Sequence, residues 1–420
     1  MIKNHDELHE ECGVVAIWGD DNAAQLTYYG LHSLQHRGQE AAGIVVRNKS
    51  RKLNIHKGEG LVSEVFNKEK IEKLSGNAAI GHVRYSTAGG GGIMNVQPFL
   101  FRTLDGMMGI AHNGNIVNAN LLKKELEENG SIFNSTSDTE VLGHLIKRET
   151  GRFVDRICKS LEKIDGAFAF VILVEDALYV ARDRYGLRPL SMGRLPSGGY
   201  MFSSETCALD IAGAEYVRDV EPGEIIRVKD GIIKSKKYTE TLPICNKLCA
   251  MEYIYFSRPD SNLDGINVHT ARKTCGKTLF EEAPVEADLV IGVPDSSISA
   301  AIGYSEASGI PYEMGLIKNK YVGRTFIQPT QEMRERGVRM KLSAVSSIVK
   351  GKRVIMIDDS IVRGTTSKRI VRLLKEAGAT EVHVRIASPA IKFPCFYGVD
   401  ISTLEELISH RMNVEELCQF

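Results

Sequence analysis

Two adjacent acids close an apolar run in Val354-Ile355-Met356-Ile357-Asp358-Asp359, and Gly364-Thr365-Thr366-Ser367 follows a few residues later. Carboxylates at the end of a strand stand where open α/β sheets bind ligands. They suit ribose hydroxyls, and they suit a hard cation such as Mg2+. Neighbouring side chains on a strand face opposite ways, so Asp358 and Asp359 are expected to do different work. The Gly-Thr-Thr-Ser turn opens a predicted helix, and its backbone N–H groups, hydroxyls and helix N-terminus favour an anion. A plain strand–turn–helix with a Ser or Thr cap would explain the turn alone. The ordered run of strand, paired acids and loop argues for a phosphate site. Segment 318–341 adds Lys318, Lys320, Arg324, Arg334, Arg336, Arg339 and Lys341 against only Glu332 and Glu335. A solvated basic face is the ordinary reading of such a segment. An anionic ligand is the other, with the polar stretch 318–324 closing over it as a lid.

A second set of reactive types lies in the first half. Cys12 occurs in Glu10-Glu11-Cys12-Gly13-Val14-Val15. Most free cysteines are inert small hydrophobes, so Cys12 alone means little. Three other segments accompany it: His36-Arg37-Gly38-Gln39-Glu40 after a predicted helix, Gly81-His82-Val83-Arg84-Tyr85-Ser86-Thr87, and His112-Asn113-Gly114-Asn115. The last is expected to be a polar turn after Ile110-Ala111.

The elements that must hold these residues change character along the chain. In the first half, 13–18, 41–46, 167–174 and 178–181 read as strands, the last two paired across Glu175-Asp176. Segments 120–129 and 138–149 read as helices. In the second half, apolar 289–293 leads into Pro294-Asp295-Ser296-Ser297 and a helix ending at Gly309. Segments 353–357, 368–377 and 382–387 read as strand, helix, strand, which implies a parallel sheet. The boundary falls near 234–247.

The chain has 420 residues, 43% hydrophobic and 25% charged, an ordinary globular composition long enough for two to three domains. Lys+Arg and Asp+Glu are both 53, so no global charge marks a nucleic-acid or membrane-surface binder. No apolar run reaches the roughly 18 residues of a membrane span, and the polar start lacks the features of a secretory signal. Eight cysteines over this length do not form a disulfide scaffold, and a reducing cytoplasm is the expected location.

The 354–367 run resembles the signature of the type I phosphoribosyltransferases, which bind phosphoribosyl pyrophosphate. That resemblance implies that Asp358 and Asp359 contact ribose, that Arg363, Gly364, Thr365 and Thr366 belong to the 5′-phosphate loop, and that Asp295 and Ser296 belong to the pyrophosphate loop. Lys318, Lys320 and Arg324 join the same substrate, and Ser296 joins Asp358 and Asp359 at Mg2+. The first-half segments resemble the glutaminase domain of class II amidotransferases, which are N-terminal-nucleophile (Ntn) hydrolases of α+β fold. There Cys12 is the nucleophile, its own α-amino group the base, and residues 1–11 a propeptide that must be removed. Asn113 and Gly114 form the oxyanion hole, Arg84 grips the glutamine carboxylate, and Asp138 takes its ammonium.

Together, and with Met251-Glu252-Tyr253-Ile254-Tyr255-Phe256-Ser257-Arg258-Pro259-Asp260-Ser261, the chain resembles the amidophosphoribosyltransferase family. This implies a propeptide 1–11, an Ntn glutaminase domain 12–240 and an α/β phosphoribosyltransferase domain 241–420 that stops short of the family's end. It also implies the first step of purine synthesis, inhibition by purine nucleotides and a homo-oligomer, tetramer or dimer, with no nucleic-acid or membrane partner. Apolar residues should wall a passage for ammonia. One branch of the family carries a [4Fe–4S] cluster. Cys249 and Cys395 match two of its ligands and the other two are missing, so little or no intact cluster is expected. Two alternatives are a catalytically silent nucleotide-binding regulator and an amidotransferase acting on another phosphorylated sugar.

Overall fold

A computed structural model describes residues 12–85, 92–319, 342–399, 401 and 403–420. The expectations for residues 1–11, for Lys320 and Arg324, and for the lid beyond Asn319 lie outside the described residues.

Gly13–Trp18 is buried at every position, as its unbroken apolar sequence demands. It is the middle strand of a seven-stranded sheet ordered Glu215–Asp219, Ser191–Arg194, Tyr200–Ser203, Gly13–Trp18, Ala78–Arg84, Ala41–Arg47, Leu53–Glu59. A six-stranded sheet runs Ile232–Lys237, Glu224–Lys229, Leu178–Arg182, Gly166–Val174, Gly106–Ile116, Phe99–Thr103. The alternation of side chains along a strand decides the layers. Val14, Ala16 and Trp18 face the second sheet and pack with Ala111, Ala169 and Val171. Val15 and Ile17 face the other way, onto Leu31 and Leu34 at the helix Ala23–Ser33. On the far side, Phe168, Phe170 and Ile172 meet Leu142, Ile146, Ile157 and Leu161 from the helices Thr139–Arg148 and Phe153–Glu162. The result is helix, sheet, sheet, helix. Each fully buried Val, Leu, Ile or Phe contributes roughly 1.5–3 kcal/mol to these layers.

The second half builds a three-stranded parallel sheet, Leu289–Gly292, Arg353–Asp358, Glu381–Ile386. Val354 and Met356 pack with Ile370 and Leu374 of the helix Thr365–Glu376. Ile355 and Ile357 pack oppositely, with Ala300, Ala301 and Tyr304 of the helix Ile298–Ser308. That helix lies against Val268–Glu282 so closely that a Cβ on Gly276 would sit 1.9 Å from the Ala300 carbonyl oxygen. A Cβ on Gly303 would sit 1.9 Å from that of Lys273.

Between the halves, residues 245–249 run along 184–187. The N–H groups of Cys245, Lys247 and Cys249 donate to the carbonyls of Arg184, Tyr185 and Leu187 at 3.1, 2.7 and 3.3 Å. Asn115 Nδ2 donates to Phe396 O at 2.9 Å and Arg188 Nη2 to Tyr397 O at 2.5 Å. Among the described residues, no helix is long and apolar enough to cross a membrane.

Three local expectations need correction. His112-Asn113-Gly114-Asn115 is not a turn; it lies within the strand Gly106–Ile116, paired residue by residue with Gly166–Val174. Its polar sequence is compatible with a strand because His112, the Asn113 amide nitrogen and Asn115 each find a hydrogen-bond partner outside the strand. The helix after the Gly-Thr-Thr-Ser turn starts at Thr365 rather than Lys368, with Gly364 as its N-cap at φ +80°. The helix expected from Asn120 starts at Ala119 behind Asn118.

Candidate active sites

Strand Arg353–Asp358 delivers its acids to the carboxyl end of the parallel sheet, beside the turn that precedes Ile298–Ser308. Asp358 Oδ1 accepts from Ser297 Oγ at 3.3 Å and from the Asp359 N–H at 3.0 Å, and Oδ2 accepts from Ser367 Oγ at 3.5 Å. Asp359 accepts from Ser296 Oγ, and from Ser360 Oγ at 2.6 Å. The two acids thus have separate partners, yet they remain coupled. Burial, and then the neighbouring Asp359 charge, pushes the Asp358 carboxyl up to about 7. Burial also raises Asp359, against the pull of its serine hydrogen bonds and of Arg272. They are only 7% and 8% exposed.

Two close carboxylates, costly to ionise, with a serine oxygen beside them form an all-oxygen donor set that fits a hard dication. No group of three or more His, Cys, Asp or Glu is placed to hold a metal ion by itself among the described residues. Such an ion would therefore take most of its coordination from substrate. A cavity of about 30 Å3 adjoins Asp359 and Ser296, lined also by Tyr253, Ile254, Ala300 and Ala387.

The rest of the predicted set is partly assembled. Lys318 Nζ lies 3.1 Å from Asp295 Oδ2, so these two pair with each other across the loop mouth. Arg363 Nη2 is held 2.7 Å from Glu406 Oε2. Thr365 Oγ1 is buried without a hydrogen-bond partner among the described residues, at the first position of a twelve-residue helix. Thr366 follows it in the first turn. A buried orphan hydroxyl at a helix N-terminus suits an oxyanion.

In the first domain, Cys12 immediately precedes the strand Gly13–Trp18 and is half-buried. Its Sγ donates to Tyr85 O at 3.6 Å, and its carbonyl accepts from Arg37 Nε at 3.2 Å. Arg84 ends the adjacent strand Ala78–Arg84 and is buried. A Cβ on Gly38 would lie 2.6 Å from the Arg84 carbonyl carbon, so only glycine allows the 36–40 turn this close.

Asn113 reaches the same region from the facing sheet. It is fully buried; Nδ2 donates to Ser204 Oγ at 3.5 Å, and Oδ1 has no partner among the described residues. Ser204 Oγ also accepts the Val14 N–H at 3.0 Å, so a single hydroxyl joins the strand that follows Cys12 to Asn113. Gly114 has φ +139°, and a Cβ there would fall 2.0 Å from Ala167 O. Asp138 caps the helix Thr139–Arg148 and remains 17% exposed at its side chain. Its Oδ2 accepts the Ile116 N–H at 2.8 Å and lies 3.9 Å from His112 Nδ1. His112 stacks on Phe170 with centroids 4.4 Å apart, and Nδ1 lies 3.1 Å from Thr139 Oγ1. Burial holds its pKa down, which favours a neutral His112 beside Asp138.

Sequence reasoning missed Ser204, Ser297, Ser360, Ser367 and Arg272, and it gave no role to Arg37, Glu205 or Glu252. Their signal is spatial; only the serines next to Asp358-Asp359 and Ser296 had a local one.

Cys249 and Cys395 both pack at an apolar cluster with Phe256, Ile401 and Leu407, while Cys245 and Cys418 are exposed. Among the described residues, no three metal-ligating side chains gather there.

Comparison with known proteins identifies the family. The glutamine amidotransferase domain family matches residues 88–210, and the phosphoribosyl transferase domain family matches 270–389. Amidophosphoribosyltransferase of Bacillus subtilis (strain 168) is 62% identical over 422 residues, covering 100% of this chain and 88% of that protein. That of Staphylococcus aureus (strain Mu50) is 56% identical, over 99% of this chain and 84% of its own length. A solved B. subtilis glutamine phosphoribosylpyrophosphate amidotransferase, complexed with ADP and GMP, superposes with a TM-score of 0.92 at 60% identity, covering 97% of this chain and 88% of that one. A solved allosteric regulatory enzyme of purine biosynthesis also superposes with a TM-score of 0.92, at 61% identity over 97% of this chain and 87% of that one. A chain that matches such an enzyme along its own whole length at 62% identity, and superposes on a solved one with a TM-score of 0.92, leads to one conclusion: the chain belongs to the amidophosphoribosyltransferase family.

Proposed function

We propose that the two sites divide the family's reaction between them, the Cys12 site releasing ammonia and the Asp358–Asp359 site consuming it. The chain is a pentosyltransferase of the first step of purine biosynthesis. It converts glutamine, 5-phosphoribosyl 1-pyrophosphate and water into 5-phosphoribosylamine, glutamate and pyrophosphate.

At the first site, Arg84 and Asp138 hold the carboxylate and ammonium of glutamine, and Cys12 attacks the side-chain amide carbon. The α-amino group of Cys12, free once residues 1–11 are removed, takes the thiol proton and returns it to the leaving nitrogen. Asn113 Nδ2 and the Gly114 N–H stabilise the tetrahedral oxyanion. Ammonia departs, and water cleaves the thioester to give glutamate.

At the second site, Gly364, Thr365 and Thr366, with Arg363 alongside, hold the 5′-phosphate, and the two aspartates hold the ribose hydroxyls. Asp295, Ser296, Lys318, Lys320 and Arg324 attend the pyrophosphate. Mg2+ would be held by Asp358, Asp359 and Ser296 and would neutralise charge on the leaving pyrophosphate. Ammonia attacks ribose C1 as pyrophosphate leaves, and loses a proton. The bound ADP and GMP of the B. subtilis relative support inhibition of this chain by purine nucleotides. A homo-oligomer in the cytoplasm completes the proposal.

The observation that supports this reading is that Ser204 Oγ accepts both from the Val14 N–H, two residues after Cys12, and from the buried Asn113 side-chain amide on the facing sheet. The test is synthesis of phosphoribosylamine by the purified chain from either glutamine or ammonia. Cys12→Ala should lose the first and keep the second. Loss of both in a folded variant would refute the division.

A further inference from the structure

We propose that Glu252, from the second domain, is a positioning residue for the cysteine nucleophile of the first, acting through Arg37. The proposal rests on the assignment of Cys12 as nucleophile.

Arg37 is wholly buried, and so are both carboxylates that meet it. Its Nη1 donates to Glu205 Oε1 at 2.7 Å and to Glu252 Oε2 at 2.9 Å, and its Nη2 donates to Glu252 Oε1 at 2.8 Å. The Glu252 contact is thus a two-pronged fork, which fixes the plane of the guanidinium as well as its place. The remaining nitrogen, Nε, donates to the carbonyl oxygen of Cys12.

The surroundings hold the fork rigid. Ser257 Oγ donates to Glu252 Oε2 at 2.8 Å, and Arg188 Nη1 stands 3.6 Å from Oε1. Glu205 Oε1 also meets His36 Nε2 at 2.7 Å, while its Oε2 accepts from the Arg258 N–H at 2.9 Å and from Ser261 Oγ at 2.7 Å. Burial alone would raise the Glu205 carboxyl, but His36 and Arg37 hold it well below the usual carboxylate range.

A buried ion pair is a poor way simply to join two domains, because desolvation offsets most of its attraction. Its distinctive product here is direction. With the fork seated on Glu252, Nε points at one main-chain oxygen, that of the nucleophile. Fixing that carbonyl fixes the peptide plane after Cys12, and the Sγ contact to Tyr85 O supplies a second tether. The thiol and the α-amino group that must exchange a proton are carried on the atom between those tethers. Arg37 and its turn belong to the first domain, but the plane of its guanidinium is set by the second.

The test is Glu252→Gln, which keeps shape and removes the charge, alongside Arg37→Lys, which keeps one cation and abolishes the fork. Glutamine-dependent and ammonia-dependent synthesis are measured on the same preparation, with kcat and KM for glutamine resolved. Their ratio does not depend on the folded fraction, so a destabilised variant remains informative. Small misplacement of a reacting group can cost on the order of 10²-fold in rate. The expected result is a kcat for glutamine lower by about 10-fold to 10²-fold, with KM for glutamine and the ammonia rate little changed. An unchanged ratio in both variants, or a loss confined to KM, would overturn the proposal. A wild-type protein that used ammonia but not glutamine would instead overturn the Cys12 assignment on which it stands.

Discussion

Replacing Ser204 by alanine isolates one hydroxyl with two jobs. Ser204 Oγ accepts the Val14 N–H and the Asn113 side-chain amide, while the Ser204 N–H to Val14 O bond, 3.1 Å, belongs to the backbone and survives. Val14 is fully buried, so its N–H has no water to turn to. An unsatisfied buried donor costs about 1–3 kcal/mol. The Asn113 contact is long at 3.5 Å and adds little to stability. Its importance is orientation, since it is the only hydrogen bond resolved for that buried amide among the described residues. Removing an oxyanion donor outright costs roughly 10²–10³ in rate. Ser204→Ala leaves the donor present but loosely held, so glutamine-dependent kcat should fall by about 10-fold, less than in Asn113→Ala. Ammonia-dependent synthesis should stay level once corrected for folded fraction. Urea unfolding and steady-state kinetics with both nitrogen sources decide the matter. Wild-type glutamine turnover in a variant destabilised by the expected amount would show that Ser204 is only a structural cap. Equal loss with both nitrogen sources would sever it from the glutaminase site altogether.

Asp359→Asn should depress synthesis from glutamine and from ammonia alike, by roughly 10²–10³, because both routes share the acceptor site; an effect on glutamine alone would contradict the assignment. Gly114→Ala must place a Cβ 2.0 Å from Ala167 O at φ +139°. Backbone strain of that kind costs roughly 1–3 kcal/mol, so calorimetry should show Tm lower by at least a few degrees, with glutamine hydrolysis lost. Burial works to raise the Glu140 carboxyl, but hydrogen bonds from His144, Ser135 and the Asn134 and Ser135 N–H groups hold it down from 4.5 to about 2. Its stabilisation, on the order of 3 kcal/mol, is fully present above pH 4.5 and is lost as pH falls toward 2. Glu140→Gln should therefore flatten the acid limb of the stability curve, and an unchanged limb would count against it. Excess Mg2+ with phosphoribosyl pyrophosphate should raise Tm in the wild type and do so much less in Asp358→Asn, as differential scanning fluorimetry would record.

The apolar runs were readable because burial on both faces leaves no room for polar residues; Gly13–Trp18 and Gly166–Val174 are of this kind. Asp358-Asp359 was readable because a charge ends such a run abruptly. The strand at His112–Asn115 was hidden because its polar side chains find partners that local sequence does not reveal, Thr139 and Ser204 among them. Threonine's weak helix propensity likewise obscured the start at Thr365, where the first turn is kept for hydroxyls and N–H groups. Ser204 lies 190 positions from Val14, and Glu252 lies 215 from Arg37. Separations of that size leave no periodic trace, and only the folded chain brings them together.

The crossing of Val268–Glu282 and Ile298–Ser308 has an evolutionary consequence. At Gly276 and Gly303 each helix touches the other's main chain, so neither position can grow without parting the pair. The Ser296-Ser297 turn opens the second of these helices, and its distance from the aspartates is set by that main-chain contact. Drift in ordinary core residues can be absorbed by repacking, but here there is no side chain to repack. The two glycines should therefore vary as one locus, and a change at either would move the turn that bears on Asp358 and Asp359 from behind. Selection for a differently shaped sugar phosphate would have to begin in the loops and leave this crossing untouched.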